Sequence, residues 1–234
     1  MKRVYVTAVR AVRGLLRLLG LMGPFDAWAR RSRTGRWARS LLAIYDVREL
    51  VALDTPWWTF ESAELVAAHL AERPGARVFE WGSGASTAWL SRRAREVVAV
   101  EHDAAWAEQV RPLAGAGVEV VTVPPVPATA GAGVLSQKPG FEGLDFSDYV
   151  AAIDQQDGVF DLIVIDGRAR EACLARAVPH LADDGLIVFD NVDRQRYRDA
   201  MAAQPGLEVR WTRGLTPSLP YPTRTALIRR SHPA

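Results

Sequence analysis

The stretch VFEWGSGAST, residues 78–87, decides the fold prediction. An apolar run ends at the acidic Glu80, and a turn with two glycines, Gly82 and Gly84, follows directly. Small hydroxyl residues then lead into a segment of good helix formers that begins near Ser86. This order predicts a strand, a tight turn and a helix. Because glycines let backbone N–H groups approach a ligand, the turn is also a candidate binding cradle.

Strands and helices alternate on both sides of this stretch. Short apolar runs such as VVAV and LIVI are typical of strands that helices cover on both faces. The alternation predicts an α/β fold with a doubly wound, seven-stranded, mostly parallel sheet. The last two predicted strands, LEVRWTR and RTALIRR, are joined by a turn-rich loop too short for a crossover helix. We therefore expect a late antiparallel strand pair.

Length and composition allow one α/β domain with an appendage. The chain has 234 residues, of which 49% are hydrophobic, so a substantial core can form. Its one cysteine, Cys173, excludes an internal disulfide framework and a multi-cysteine metal site. That usage fits a cytoplasmic protein.

The first 40 residues are strongly basic. They hold ten lysine or arginine side chains and one acid, Asp26, which gives a formal charge of +9. Because the whole chain carries +2, the remainder carries −7. The sequence therefore predicts a basic helical extension over 1–55 and an acidic domain over 56–234. The acidity of that domain disfavours nucleic acid as a partner.

The extension is expected to form an amphipathic helix. Arg10, Arg13 and Arg17 fall on one side, and another side carries apolar residues: Tyr5, Val9, Val12, Leu16 and Leu19. Two interpretations stay open. In one, the helix packs on the domain with its arginines in water. In the other, it rests on an anionic membrane surface, which would make the protein peripheral at the inner membrane face. No uncharged stretch is long enough to span a bilayer.

A second acidic residue extends the candidate binding site beyond the glycine turn. Glu101 ends the next predicted strand, nineteen residues after Gly82. At that position a carboxylate can accept hydrogen bonds from ribose hydroxyls, which predicts a nucleoside ligand. The alternative is that Glu101 only caps the next helix. Thr87 stands where a dinucleotide motif has its third glycine, and the charge of Glu80 would repel phosphates. An adenosine ligand with a sulfonium and an ammonium group fits better than NAD.

Together FEWGSGAST and AVEHD resemble motif I and its partner in the class I S-adenosylmethionine-dependent methyltransferases. The resemblance covers about residues 56–234. It implies that S-adenosylmethionine is the cofactor, with Glu101 at the ribose and His102 at the adenine. It also implies that the methionine part is lined by five residues of the turn: Glu80, Gly82, Ser83, Gly84 and Ser86.

Two later predicted strands end in oxygen-bearing side chains. Asp166 ends one strand, and Asp190 and Asn191 end the next. Two carboxylates and an amide oxygen suit Mg²⁺, and the set is similar to the metal site of catechol-type and some sugar O-methyltransferases. The alternative is that Asp190 and Asn191 cap a helix while Asp166 contacts the cofactor.

Two arginines follow Asp166. Catechol-type enzymes have a lysine three residues after the first aspartate, where this chain has Ala169 between Arg168 and Arg170. Arginine is a poor base but a good clamp for a carboxylate or phosphate. Asp166, Arg168 and Arg170 are therefore the candidate catalytic residues. Trp57, Trp58 and the loop over 124–143 are candidate lids over the cleft.

The predicted function is O-methylation of a small-molecule or glycan-type acceptor that is anionic or lipid-linked. An aminopropyltransferase on the same fold would need a more acidic cleft. An NAD-dependent oxidoreductase would need the missing third glycine. A non-catalytic nucleoside-binding module at a membrane is the remaining alternative.

Overall fold

The structure is a computed structural model that describes residues 2–43, 46–129 and 133–231. The side chains of residues 2–6 and of Arg10 lie outside the described part of the structure. Two residues predicted to define the faces of the amphipathic helix, Tyr5 and Arg10, are among them.

A seven-stranded mixed sheet organises the molecule. It contains β1 (Arg77–Trp81), β2 (Glu96–Glu101), β3 (Val118–Thr122), β6 (Phe160–Ile165), β7 (Leu181–Asp190), β8 (Leu207–Gly214) and β9 (Thr223–Arg230). Two further strands, β4 (Val126–Pro127) and β5 (Leu144–Asp145), form a small separate ladder. The sheet order is β3-β2-β1-β6-β7-β9-β8. Only β9 runs antiparallel to its neighbours β7 and β8. The predicted fold class, including the late antiparallel pair, is confirmed.

Helices cover both faces of this sheet. They are α1 (Lys2–Leu18), α2 (Met22–Arg31), α3 (Arg33–Leu41), α4 (Val47–Ala52), α5 (Phe60–Ala71), α6 (Ala85–Ser91), α7 (Ala104–Val110), α8 (Ser147–Ala151), α9 (Arg170–Ala177) and α10 (Gln195–Ala202). Thr59 caps α5, because its Oγ1 accepts from the Ser62 N–H at 3.2 Å. Alternate residues of β1 enter different cores: Phe79 and Trp81 pack on one face, and Val78 packs on the other. This two-sided burial explains the apolar strand sequences.

The basic extension folds onto its own acidic residues. Arg13 donates to Asp46 at 3.0 Å, and Arg17 donates to Glu49 at 2.8 Å. Arg39 is buried and bridges Asp26 and Glu49, each at 2.7 Å. Arg13 therefore faces the protein, which corrects for this residue the expectation that the arginines of α1 lie in water, whereas Arg17 stays exposed beside Glu49.

An apolar surface of α1 is exposed, although Val9 and Leu16 of the predicted apolar side are half-buried. Val12 is 49% exposed, Leu15 55% and Leu18 83%. Leu19 and Leu21 continue this surface, and Trp28 on α2 is also exposed. In the described part of the chain, no helix is both long enough and apolar enough to cross a membrane.

The end of the extension packs against residues that follow it in the chain. Leu50 is fully buried in a small core that also contains Ala85 of α6. Ser40 accepts two hydrogen bonds from Ser218, each of 2.9 Å: its hydroxyl accepts from the Ser218 N–H, and its carbonyl accepts from the Ser218 hydroxyl. The helices of the extension thereby reach the start of α6, which borders the glycine turn.

Candidate active site

The glycine turn lies where the carboxyl ends of the parallel strands meet. Gly82 has a φ of +100°, a conformation that side chains disfavour. A Cβ at Gly82 would lie 3.1 Å from the Gly167 nitrogen, which follows β6. Its own N–H donates to the Val100 carbonyl at 2.8 Å. Glycine is therefore required here because two strand ends approach the turn closely.

Glu80 lies beneath this turn and is fully buried. Its carboxylate accepts hydrogen bonds from the Ser86 hydroxyl and, at 2.6 Å, from the Thr87 hydroxyl. Thr87 in turn accepts from the Gly84 N–H at 2.9 Å. Burial raises the pKa of Glu80 to about 8, although both hydroxyls oppose the shift. Thr87, which replaces the third glycine of a dinucleotide motif, thus holds Glu80 in place.

Glu101 closes the turn from the end of β2. One carboxylate oxygen accepts from the Ser83 N–H at 3.0 Å and from the Ser83 hydroxyl at 2.9 Å. The other accepts from the backbone N–H groups of His102 and Asp103. Burial opposes ionisation, but these donors and the nearby His102 ring outweigh it and lower the pKa of Glu101.

The next helix is capped by a different residue, so the alternative role predicted for Glu101, helix capping, does not apply. Asp103 caps α7, because its carboxylate accepts from the Trp106 N–H at 3.1 Å. Glu101 is thereby left to order the turn and to face the cleft.

One open cleft, with about 970 Å³ of empty space, is lined by every residue predicted to bind the cofactor. Those residues are Glu80, Gly82, Ser83, Gly84, Ser86, Glu101 and His102. Asp166 and Arg168 also line it. The structure therefore brings the two halves of the sequence motif together with the end of β6.

Aromatic residues complete the cleft. Trp106, which the sequence analysis missed, lines it and donates from Nε1 to the Ser83 carbonyl at 2.8 Å. The His102 ring lies 5.2 Å from the ring of Phe141, another lining residue. Trp57 lines the cleft as the lid prediction requires, but Trp58 is fully buried against Trp89, so a lid role for Trp58 is wrong. The local sequence signal that could have placed Trp106 in the cleft is its position in the first turn of α7, the helix that follows Glu101.

Arg170 holds the ends of β6 and β7 together. Its guanidinium donates to three backbone carbonyl oxygens: Gly167 at 2.9 Å, Asp190 at 2.7 Å and Asp166 at 3.0 Å. It also donates to the Asp166 carboxylate at 3.1 Å. Arg170 is therefore committed to the protein itself, which corrects the prediction that it clamps an acidic acceptor. Burial raises the pKa of Asp166, and the charge of Arg170 opposes that shift.

The predicted metal ligands do not fit a divalent cation. Asp190 is buried, accepts from the Thr225 hydroxyl at 2.5 Å and from the Asn191 amide, and lines neither this cleft nor the neighbouring cavity. Burial and the charge of Asp166 raise the pKa of Asp190 to about 8, so its charge is weakened. Arg170 already supplies a cation among the oxygens of the two strand ends. Residues 2–43, 46–129 and 133–231 contain no group of three histidine, cysteine or acidic side chains that could hold a metal ion.

Comparison with known proteins agrees with this geometry. Residues 79–192 match the sequence model of a family described as "Methyltransferase domain". That range begins in β1, ends just after β7 and contains the glycine turn, Glu101 and Asp166. No curated protein sequence gives a significant match.

Solved structures share the fold at low identity. An O-methyltransferase from Bacillus cereus in complex with S-adenosylhomocysteine is 18% identical, with a TM-score of 0.58 over 79% of this chain and 90% of that one. The Streptomyces achromogenes O-methyltransferase TomG, involved in tomaymycin synthesis and solved with S-adenosylmethionine, is 15% identical, with a TM-score of 0.55 over 74% and 80%. The family match shows a methyltransferase domain over residues 79–192, and the whole fold is shared with methyltransferases that were solved with S-adenosylmethionine or S-adenosylhomocysteine.

Proposed function

We propose that the protein transfers a methyl group from S-adenosylmethionine to an oxygen of a small-molecule or glycan-type acceptor. The observation that carries this proposal is the cleft in which Glu80 and Glu101 flank one glycine turn. Glu101 is placed to accept from the ribose hydroxyls, and Glu80 to attract the ammonium group of the donor. His102, beside Phe141, borders the adenine.

The reaction is an in-line displacement at the methyl carbon. The acceptor oxygen forms the new C–O bond, the C–S bond breaks, and its electron pair stays on sulfur to give S-adenosylhomocysteine. The hydroxyl proton passes to Asp166, whose carboxylate lines the cleft. Because burial raises the pKa of Asp166, it is a stronger base than an exposed aspartate. Positioning supplies much of the remaining rate, since the thioether is a good leaving group.

Calorimetry with S-adenosylhomocysteine tests the donor site. We expect the full chain to bind it and Glu101→Gln to weaken binding about tenfold, because a charged acceptor of ribose hydrogen bonds is lost. Glu101→Ala should weaken it further. Glu119→Gln, an exposed acid on β3, is the matched control and should bind like the wild type. Absence of binding by the wild type, or unchanged binding by both Glu101 variants, would contradict the donor assignment.

We further propose that α1 rests on an anionic membrane surface. The supporting observation is the exposed apolar side of α1, together with the exposed basic side chains Arg30 and Arg31 at the end of α2. An amphipathic helix binds a bilayer surface through these two features. Sedimentation with vesicles tests this proposal.

A further inference from the structure

A second cavity adjoins the donor cleft. It has about 590 Å³ of empty space and lies between the segment after β6, the start of α10 and residues 136–138 of the predicted lid loop. Gly167 and Arg168 line both this cavity and the donor cleft. A molecule in the second cavity can therefore reach toward the donor past Arg168.

The second cavity is lined by five basic side chains and one acidic side chain. Two of the five are committed: Arg196 pairs with Glu171, the one acid, at 2.6 Å, and Arg170 is bound to the strand ends. The positive charge that no carboxylate pairs within the described residues comes from Arg168 and Arg194. Arg194 is exposed and pairs with no carboxylate within the described residues. Positive charge is therefore in excess at this wall.

Arg168 is the most unusual of these residues. Its guanidinium is largely buried and lies 5.0 Å from the centre of the Phe141 ring. No carboxylate of the described chain forms an ion pair with it, and its buried Nε has no hydrogen-bond partner there. Within the described residues, the guanidinium donates one hydrogen bond, a 3.2 Å contact from Nη1 to the Gly167 carbonyl. A largely buried cation that has no carboxylate partner is costly, and the guanidinium fork matches a carboxylate or phosphate.

We propose that the second cavity binds a carboxylate or phosphate group of the methyl acceptor, with Arg168 as its main ligand and Lys138 and Arg194 beside it. This inference rests on the proposed function, because it assigns the acceptor side of the same site. The anion neutralises Arg168 and places the remainder of the acceptor past Gly167, at the carboxylate of Asp166. The acceptor class is therefore an acid or a phosphorylated compound that carries a hydroxyl group.

Inorganic phosphate and malonate serve as probes. Each is titrated into the full chain, with and without S-adenosylhomocysteine, at constant ionic strength. We expect saturable binding that Arg168→Gln weakens about tenfold or more, since a charge-assisted hydrogen bond is lost. Arg168→Lys should retain part of the affinity because it keeps the charge. Arg95→Gln, which removes an exposed arginine far from the cavity, should leave anion binding unchanged.

The affinity for S-adenosylhomocysteine separates this inference from the donor assignment. We expect Arg168→Gln to change it less than threefold. A tenfold loss of S-adenosylhomocysteine affinity with unchanged anion binding would show that Arg168 holds the carboxylate of the donor, and would overturn the proposal. Equal weakening by Arg95→Gln, or no saturable binding of either probe, would also overturn it. Failure of the wild type to bind S-adenosylhomocysteine would instead contradict the proposed function.

Discussion

Glu80 shows how a single residue links the fold to the chemistry of the donor. Burial raises its pKa to about 8, so near neutral pH most molecules hold it protonated between Ser86 and Thr87. A cationic group placed beside it stabilises the ionised form and lowers the pKa. Donor binding should therefore release a proton from Glu80, and donor affinity should increase as the pH rises toward 8.

The same residue makes the stability of the unliganded protein depend on pH. The Glu80 carboxyl ionises near 4.5 in the unfolded chain and near 8 in the folded protein. Between these values the folded state holds a proton that the unfolded state has released. The stabilisation is therefore complete below pH 4.5 and is lost as the pH rises through 8. Asp190, whose pKa is also about 8, acts in the same direction.

We predict that Glu80→Gln flattens this pH dependence. The free energy of unfolding of the wild type should fall from about pH 6 to pH 8, and that of the variant should fall less steeply, because Glu80 no longer titrates while Asp190 and Asp166 still do. Urea unfolding at several pH values measures both slopes. Identical slopes would show that Glu80 is already ionised in the folded protein.

At the scale of elements, the ends of β1 and β6 are held at a separation that only glycine allows. A Cβ at Gly167 would lie 1.9 Å from the Tyr149 hydroxyl oxygen and 3.1 Å from the Gly82 nitrogen. Tyr149 itself is fully buried on α8. Packing of α8 therefore sets how closely the segment after β6 approaches the glycine turn.

We predict that Gly167→Ala destabilises the protein by about 1–3 kcal/mol, because the new methyl group overlaps Tyr149. Tyr149→Phe removes the nearest atom, so the double variant should regain part of that loss. Gly75→Ala is the control, since a Cβ there meets nothing within 4 Å. Thermal or urea unfolding of the four variants measures the coupling. Additive effects of the two changes would contradict this packing account.

Some features of these elements can be predicted from the sequence, and others depend on contacts that form only when the chain folds. The alternation of strands and helices and the place of Glu101 follow from local apolar patterns and from spacing along one β-α-β unit. Arg170 could not be placed in this way, because its three carbonyl partners belong to the ends of two strands and are defined only once those strands pair. Trp57 and Trp58 are adjacent, and only the packing of Trp58 on Trp89 distinguishes a cleft residue from a core residue.

At the scale of the whole molecule, charge decides which side of the extension faces outward. Asp46 caps α4 and Glu49 lies in its first turn, and they bind Arg13 and Arg17, more than thirty residues earlier, so this side of α1 lies against α4. The amphipathic pattern of α1 alone is compatible with either orientation. The orientation of α1 is determined by the acidic residues at α4, which attract one side of the helix and leave Leu15 and Leu18 exposed.

This orientation gives the membrane proposal a specific prediction. The full chain should sediment with vesicles of phosphatidylcholine and phosphatidylglycerol, and less with phosphatidylcholine alone, because the exposed basic residues add electrostatic attraction. Leu15→Gln and Leu18→Gln should each lower partitioning about tenfold, because each removes apolar surface that enters the bilayer. Leu135→Gln is the matched control, since Leu135 is 56% exposed but lies in the loop beside the second cavity.

The outcomes separate a membrane from another occupant of the same surface. Equal sedimentation of the wild type and the Leu15 and Leu18 variants, or an equal loss with Leu135→Gln, would contradict a membrane role for α1. Analytical ultracentrifugation without lipid supplies the second measurement. If the wild type is a dimer that the Leu18→Gln variant dissociates, and neither protein sediments with vesicles, then the apolar side binds a second copy of the chain. Unfolding curves for each variant should match the wild type, because these leucines are exposed and their loss leaves the arginine–acid contacts of α1 intact.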